Sequence, residues 1–368
     1  MNEHLLRAVG RRPDADADAV LVRLTGPDVP DGVWTATEGV ADARTGEPAG
    51  PLHRFRIGGV TKVFLATVVL GLVAEGALGL DDPVERQLPG LLHPDITLRQ
   101  LLDHTSGLAD ESDVRYNDTA WFLEHRYDTF TAEERLALPL RLPLSFAPGT
   151  RQQLTRANYE VAALLVERVT GRGCAREIED RVLRPLQLSA TTLPGSDPTL
   201  PDPHLRGRDL GIDVAEHNPS IHGPAGEMIS NLPDLDRFLV ALTGGELLPA
   251  AQTEELFRLP GVPHVRGHDA YAGAGLDRLV LPDGVEVWGM AGVVHGALAG
   301  MVTTRDLRRR LTYAVSPRER GKERLPPVGQ RLVAAAFSNR FWPTDRMIPG
   351  AAPANGGATD AAASAGAP

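Results

Sequence analysis

Apolar residues along this chain fall into two rhythms. Ala19-Val20-Leu21-Val22-Arg23-Leu24 and the stretch Val33 to Asp42 read as strands, with Gly26-Pro27-Asp28 as the turn between them. A longer apolar run, Val63 to Ala74, follows Thr61 and Lys62. It is too short to cross a bilayer and reads as a buried helix. Gly76 is its expected C-cap, and Asp82-Pro83 is expected to open the next helix. Val161 to Val169 predicts a second apolar helix, ended by Thr170-Gly171. A strand pair is expected from near Leu279, then further strands, then a terminal helix over Pro327 to Arg340. Residues 1–18 are polar and read as a loose lead-in. Residues 349–368 are Ala, Gly and Pro with little else; they hold too little apolar surface to order themselves and are expected to be disordered.

Composition narrows the classes. With 368 residues the chain can form one large domain or two interleaved ones. A net charge of −10 leaves no basic surplus to neutralise phosphates, so nucleic acid is not an expected partner. The single cysteine, Cys174, rules out an intrachain disulfide and suits a reducing compartment. Met1 to Arg7 hold no apolar signal core, so a cytoplasmic protein without membrane attachment is expected. Metal-ligand spacings of the His-x-x-x-His or Cys-x-x-Cys type are missing, as is a phosphate-binding Gly loop, so neither metal nor cofactor is expected.

Several stretches carry more specific information. They are Gly39 to Gly46; Phe55-Arg56-Ile57-Gly58-Gly59-Val60-Thr61-Lys62; and Ile96 to Leu108 with its His104-Thr105-Ser106-Gly107-Leu108 end. Further along come Pro148-Gly149-Thr150, Asn158-Tyr159, Pro185-Leu186, Gly223 to Leu239 and Trp288 to Gly296. In order and content these resemble the serine β-lactamase and penicillin-binding protein family, its class C β-lactamase-like and DD-peptidase-like branch, over about residues 19–342. The resemblance implies an α+β fold, an antiparallel sheet flanked by helices with a mostly helical domain inserted. Residues 19–80 and 223–342 would form the sheet domain and residues 81–222 the insertion, with the pocket at their junction.

It also implies three catalytic motifs, and the chain departs from each. The serine of Ser-x-x-Lys falls on Gly59, while the lysine is present as Lys62. The Tyr-x-Asn position falls on Leu154-Thr155-Arg156. The basic residue and threonine of the third motif fall on Met290 and Ala291. His104, Ser106 and Tyr159 match positions that brace the fold, and Cys174 reads as structural.

Three residues are candidates for catalysis. Lys62, in an apolar pocket without its usual partners, should lose proton affinity and act as a base or an imine-forming amine; the plainer reading is packing. Glu227, where a glycine is usual, is either a partner for Lys62 or a solvated loop acid. His295 is either an acid or base at the pocket rim or a solvated loop histidine. Candidates for substrate binding are the Gly59 N–H as an oxyanion-type donor, Arg156 as a carboxylate or phosphate clamp or else in a salt bridge to a local acid, Thr155, Met290, and the aromatic residues Tyr116 and Trp121 at the pocket mouth, an alternative for which is packing.

The favoured expectation is a β-lactamase-fold protein without the serine nucleophile, repurposed for non-hydrolytic cyclase, isomerase or lyase chemistry on a small molecule in bacterial specialised metabolism, with Lys62 moving protons. One alternative is a non-catalytic binding protein. Another is a hydrolase or acyltransferase with a replacement nucleophile such as Thr61 or Thr155.

Overall fold

The computed structural model describes residues 17–110, 118–318 and 327–338. Most of the expected lead-in, the tail 349–368 and Tyr116 lie outside them. The strands are β1 (Ala17–Thr25), β2 (Val33–Asp42), β3 (Glu47–Pro48), β4 (Phe55–Arg56), β5 (Arg208–Asp209), β6 (Ile212–Asp213), β7 (Ile229–Ser230), β8 (Asp277–Val280), β9 (Glu286–Val294), β10 (Ala297–Thr303) and β11 (Arg310–Pro317). The helices are α1 (Thr61–Ala74), α2 (Leu98–Leu102), α3 (Thr119–His125), α4 (Ala132–Leu136), α5 (Ala157–Thr170), α6 (Cys174–Ile178), α7 (Leu232–Thr243), α8 (Ala250–Glu255) and α9 (Pro327–Phe337).

Seven strands form one antiparallel sheet in the order β3-β2-β1-β11-β10-β9-β8. The first three come from the start of the chain and the last four from its end, so β1 and β11 close the sheet side by side, with Val22 opposite Tyr313. Side chains alternate across β1. Ala19 and Leu21 face a core shared with α1 and α7, where Phe64 stacks on Phe238 at 3.7 Å. Val20, Val22 and Leu24 face a second core closed by Leu332 and Phe337 of α9. Burial on both faces is why β1 reads as an almost unbroken apolar run.

Helix α1 is enclosed on every side: ten of its fourteen residues are buried, and it packs against α5, α6 and the sheet side of residues 58–60. Lys62 is its one charged residue. Gly76, at φ 74°, continues the chain past the helix end in the left-handed conformation expected of it. After Pro83 the chain makes only a short 3-10 turn, Val84–Arg86, instead of the expected helix. Thr97 caps α2 in a capping box with Gln100.

Between α2 and β7 the longer regular elements are helices, joined by extended loops, and the chain does not leave the sheet entirely. Arg208 on β5 forms a paired salt bridge to Asp18 on β1 at 2.7 Å, so residues 208–213 already lie against the sheet. Among the described residues no helix is long and apolar enough to cross a membrane.

Candidate functional site

The site is built where three segments meet at the start of α1. Residues 57–60 make a tight turn between β4 and α1. Residues 226–228 run beside it: the Ile57 N–H donates to the Met228 carbonyl at 3.0 Å, and the Met228 N–H donates to Thr61 Oγ1 at 3.2 Å. On the other side lies β9. A side chain on Gly292 would place its Cβ 2.0 Å from the Ile57 oxygen and 2.5 Å from the Gly59 nitrogen. Only glycine lets the strand approach this closely. Gly59, Lys62, Glu227, Ala291 and Val293 are part-exposed here, amid neighbours that are nearly all buried. They mark where the cleft opens.

Gly59 and Lys62 are brought together. A Cβ added to Gly59 would lie 3.0 Å from Lys62 Nζ and 3.2 Å from the Ala291 oxygen. The amine thus borders the place that a serine side chain would take. Met290, one residue along β9, is buried in the main core, so an apolar side chain fills the place where the resemblance expects a base.

Glu227 lies on the segment that runs beside this turn, and its charged neighbours are Arg135 and Glu160. Gly226 before it packs on the Gly58 backbone, and Met228 after it holds Ile57 and Thr61. Burial pushes its carboxyl up to about 7, with Arg135 pulling it down and Glu160 adding to the rise. Arg135 and Glu160 are functional-site neighbours that the sequence reading missed. Arg135 Nε donates to Glu160 Oε2 at 2.9 Å, and its Nη1 donates to both the Phe130 and the Ser220 carbonyls. Glu160 is buried on α5, and desolvation raises its carboxyl. The available signal was an acid lying between Tyr159 and Val161 inside an apolar helix.

Other expected site residues are placed differently. His295 is not at a solvated rim. It is buried in the turn between β9 and β10; its Nδ1 lies 2.5 Å from Asp209 Oδ2, and its ring stacks on Phe122 at 3.8 Å. Thr119 also donates to Asp209, so this pair fastens α3 to β5 and the β9–β10 turn. Arg156 donates to the Ile221 and His222 carbonyls at 2.9 and 2.8 Å, which spends one of its guanidinium nitrogens on backbone instead of on a ligand. The Thr155 hydroxyl is buried, donating to the Ala109 carbonyl and accepting from the Ala157 N–H. Thr61 is likewise buried and committed to Met228. Neither hydroxyl is presented as a nucleophile. Trp121 is half-buried on α3, stacked on His125 at 4.5 Å.

The bracing residues behave as expected. His104, at φ 61°, accepts from Asn158 Nδ2 at 2.9 Å; Ser106 donates to Asn158 Oδ1 at 2.6 Å; the Tyr159 hydroxyl donates to the Leu102 carbonyl at 3.0 Å. Buried Cys174 has its thiol pushed up by desolvation and nearby acids, which keeps it unreactive. Among the described residues no group of His, Cys, Asp and Glu has the arrangement of a metal centre.

A sheet built from both chain ends packs against a buried helix that presents a lysine in its first turn. The chain belongs to the beta-lactamase family, whose model matches residues 7–352. It is similar to esterase EstB of Burkholderia gladioli, 33% identical over 223 residues that span 52% of this chain and 53% of the esterase. It is also similar to penicillin-binding protein 4 of Amycolatopsis lactamdurans, 29% identical over 55% of this chain and 59% of that protein. These matches span little more than half the length of either relative. Among solved structures, a D-stereospecific amidohydrolase from Streptomyces superposes with a TM-score of 0.80 at 33% identity, covering 92% of this chain and 99% of that one. A D-amino acid amidase from Ochrobactrum anthropi shares the fold, with a TM-score of 0.77 at 23% identity over 91% of this chain and 98% of that one.

Proposed function

We propose that this protein binds a small acyl or amide compound in the Gly59–Lys62 cleft and processes it without forming a serine ester. Lys62 carries the proton chemistry, and Glu227 supplies or takes the second proton. The observation that supports this most is the placing of the Lys62 amine beside the empty Cβ position of Gly59. Covalent acyl transfer needs an activated side-chain nucleophile, and position 59 has no side chain. The Gly59 N–H remains to hold a carbonyl oxygen. An amine at that spot can remove or return a proton next to the carbonyl, which is cyclase, isomerase or lyase chemistry. A carboxyl near neutrality suits the complementary role. The relatives named for amides and esters favour an acyl-type substrate, and a D-amino-acid derivative is the first class to try. A single buried cysteine suits a cytoplasmic setting.

A second reading, a binding protein without turnover, is favoured by one observation: Met290 and Leu154 put apolar groups where the other two motifs carry acid–base groups. The two readings separate on Lys62→Met. Incubation with a panel of D-amino-acid amides and esters, followed by mass spectrometry of the products, should show rearranged product with the native chain and none with the variant. Product formation that survives in the variant would refute the Lys62 reading. Ligand binding with no product from either chain would establish the second.

A further inference from the structure

A second cavity, of about 320 Å³, lies away from Gly59 and Lys62. It is walled by Leu80, Leu259, Pro260 and Val262 on its apolar side, and by α2 and the turn after it on its polar side. Asp103, at the end of α2, lines it and is 8% exposed. Its Oδ1 accepts from the Thr105 N–H and hydroxyl at 3.1 and 2.7 Å. Its Oδ2 accepts no hydrogen bond from the described residues. The oxygen is not fully enclosed, so something filling the cavity can meet it.

The remaining charges show what that something is. Arg99 is already matched by Asp81 at 2.7 Å and Glu255 at 2.5 Å. Arg258 leans on Glu255 at 3.4 Å and is largely exposed. The lining thus carries three carboxylates, Asp81, Asp103 and Glu255, against two guanidinium groups, Arg99 and Arg258. The lining therefore carries one more negative charge than positive, and Asp103 is its most buried carboxylate.

We propose that this cavity is a binding site for a small primary amine with an apolar body, its ammonium on Asp103 Oδ2 and its body against Leu80, Leu259 and Val262. The site lies directly behind the cleft. Ala274 lines it, and the next residue, Gly275, would place a Cβ 2.8 Å from Ala66 Cβ on α1. Asp103 is followed by His104, whose ring accepts from Asn158 at the start of α5. An occupant would therefore lie one residue away from a contact with the helix that carries Lys62, and against the turn that braces its neighbour. Asp103 titrates in a useful range: burial pushes it up to about 6, against hydrogen bonds from Thr105 and the charges of Arg99 and Arg258. The Tyr159 phenol behind it stays protonated, its own ionisation driven up by burial.

The test is calorimetric titration of the full-length chain with benzylamine, benzyl alcohol and phenylacetate. Benzylamine should bind at about pH 8, lose about tenfold in affinity near pH 5 as Asp103 protonates, and outbind the other two probes. Asp103→Asn keeps an oxygen for Thr105 and removes the charge, so it should fold and lose benzylamine binding. Equal binding of the alcohol and the amine by the native chain would overturn the proposal, whatever the variant does. So would benzylamine binding that survives Asp103→Asn and disappears in Glu227→Gln, since that places the amine in the other cleft. Absence of benzylamine binding to the native chain would overturn it as well.

Discussion

Lys62 Nζ stands 3.0 Å from the point that a Cβ on Gly59 would occupy. Residue 59 is thus not a neutral gap in the family framework. The backbone beside it is held by Met228 on one side and approached by Gly292 on the other, and the amine borders the place a side chain at 59 would take. On the proposed function, the site would offer a substrate the Lys62 amine and the Gly59 N–H, with Glu227 as the proton partner.

The close approach of β9 gives a direct stability test. Gly292→Ala puts a methyl group 2.0 Å from the Ile57 oxygen, where backbone, not a flexible side chain, must move. Overpacking of this kind costs about 1–3 kcal/mol or more. Denaturant unfolding should show a loss of at least that size. An unchanged midpoint would mean that β9 does not press on residues 57–59 as described.

Glu227 predicts how stability changes with pH. Its folded-state pKa, about 7, lies above its ordinary value of 4.5. Between those values the unfolded chain has released the proton that the folded chain still holds. Stability therefore falls as pH rises from about 4.5 to about 7, by on the order of 2 kcal/mol. Asp103, raised to about 6, adds in the same direction over a lower window. Glu227→Gln should remove the slope above about pH 6 and reduce it below, where Asp103 still contributes. Melting temperatures across that range check it, and an unaltered slope in the variant would count against a raised Glu227.

The Asp209–His295 pair should act on stability and not on chemistry. Both side chains are almost fully enclosed, at 2% and 1% exposure. Breaking a buried pair by removing one partner costs about 3–5 kcal/mol. Asp209→Asn should unfold at clearly lower denaturant, and so should His295→Phe, although its ring can still stack on Phe122. A loss of turnover in either variant without loss of stability would return His295 to the catalytic candidates.

The Arg135–Glu160 pair supplies a sharper test of the cleft's electrostatics. Arg135 is the charge that holds Glu227 down. Arg135→Met should raise the Glu227 pKa further and destabilise the fold, because Glu160 is left buried without its cation. NMR titration of the Glu227 carboxyl reads the first effect, and no upward movement would contradict the assignment.

Much of the framework was legible in the chain because it is written in backbone requirements. Val33 to Asp42 forms one strand, as its pattern predicts. Gly76 sits where a left-handed residue is needed. The apolar run after Lys62 could only be an enclosed helix. Side-chain commitments were less legible. Nothing local marks Asp209 as the partner of His295, 86 residues away, so a histidine in a turn read as an acid or base at the rim, or else as solvated. Arg156 read as a clamp because the carbonyls of Ile221 and His222 that it meets come from a distant segment. Thr155 likewise looked available until its hydroxyl was found bonded to Ala109. Long-range pairing, not local pattern, decides which polar groups remain for a substrate.

The central claim is that the cleft holds an acyl compound without forming an ester to a side-chain hydroxyl. Intact-protein mass after incubation with a β-lactam, a thioester and an activated ester tests it most directly, with Gly59→Ser run beside the native chain. The prediction is no hydroxyl-linked acyl adduct on the native protein and one on the hydroxyl introduced in the variant. An adduct mapped to a hydroxyl of the native chain would contradict the claim and would name the nucleophile that replaces the missing serine.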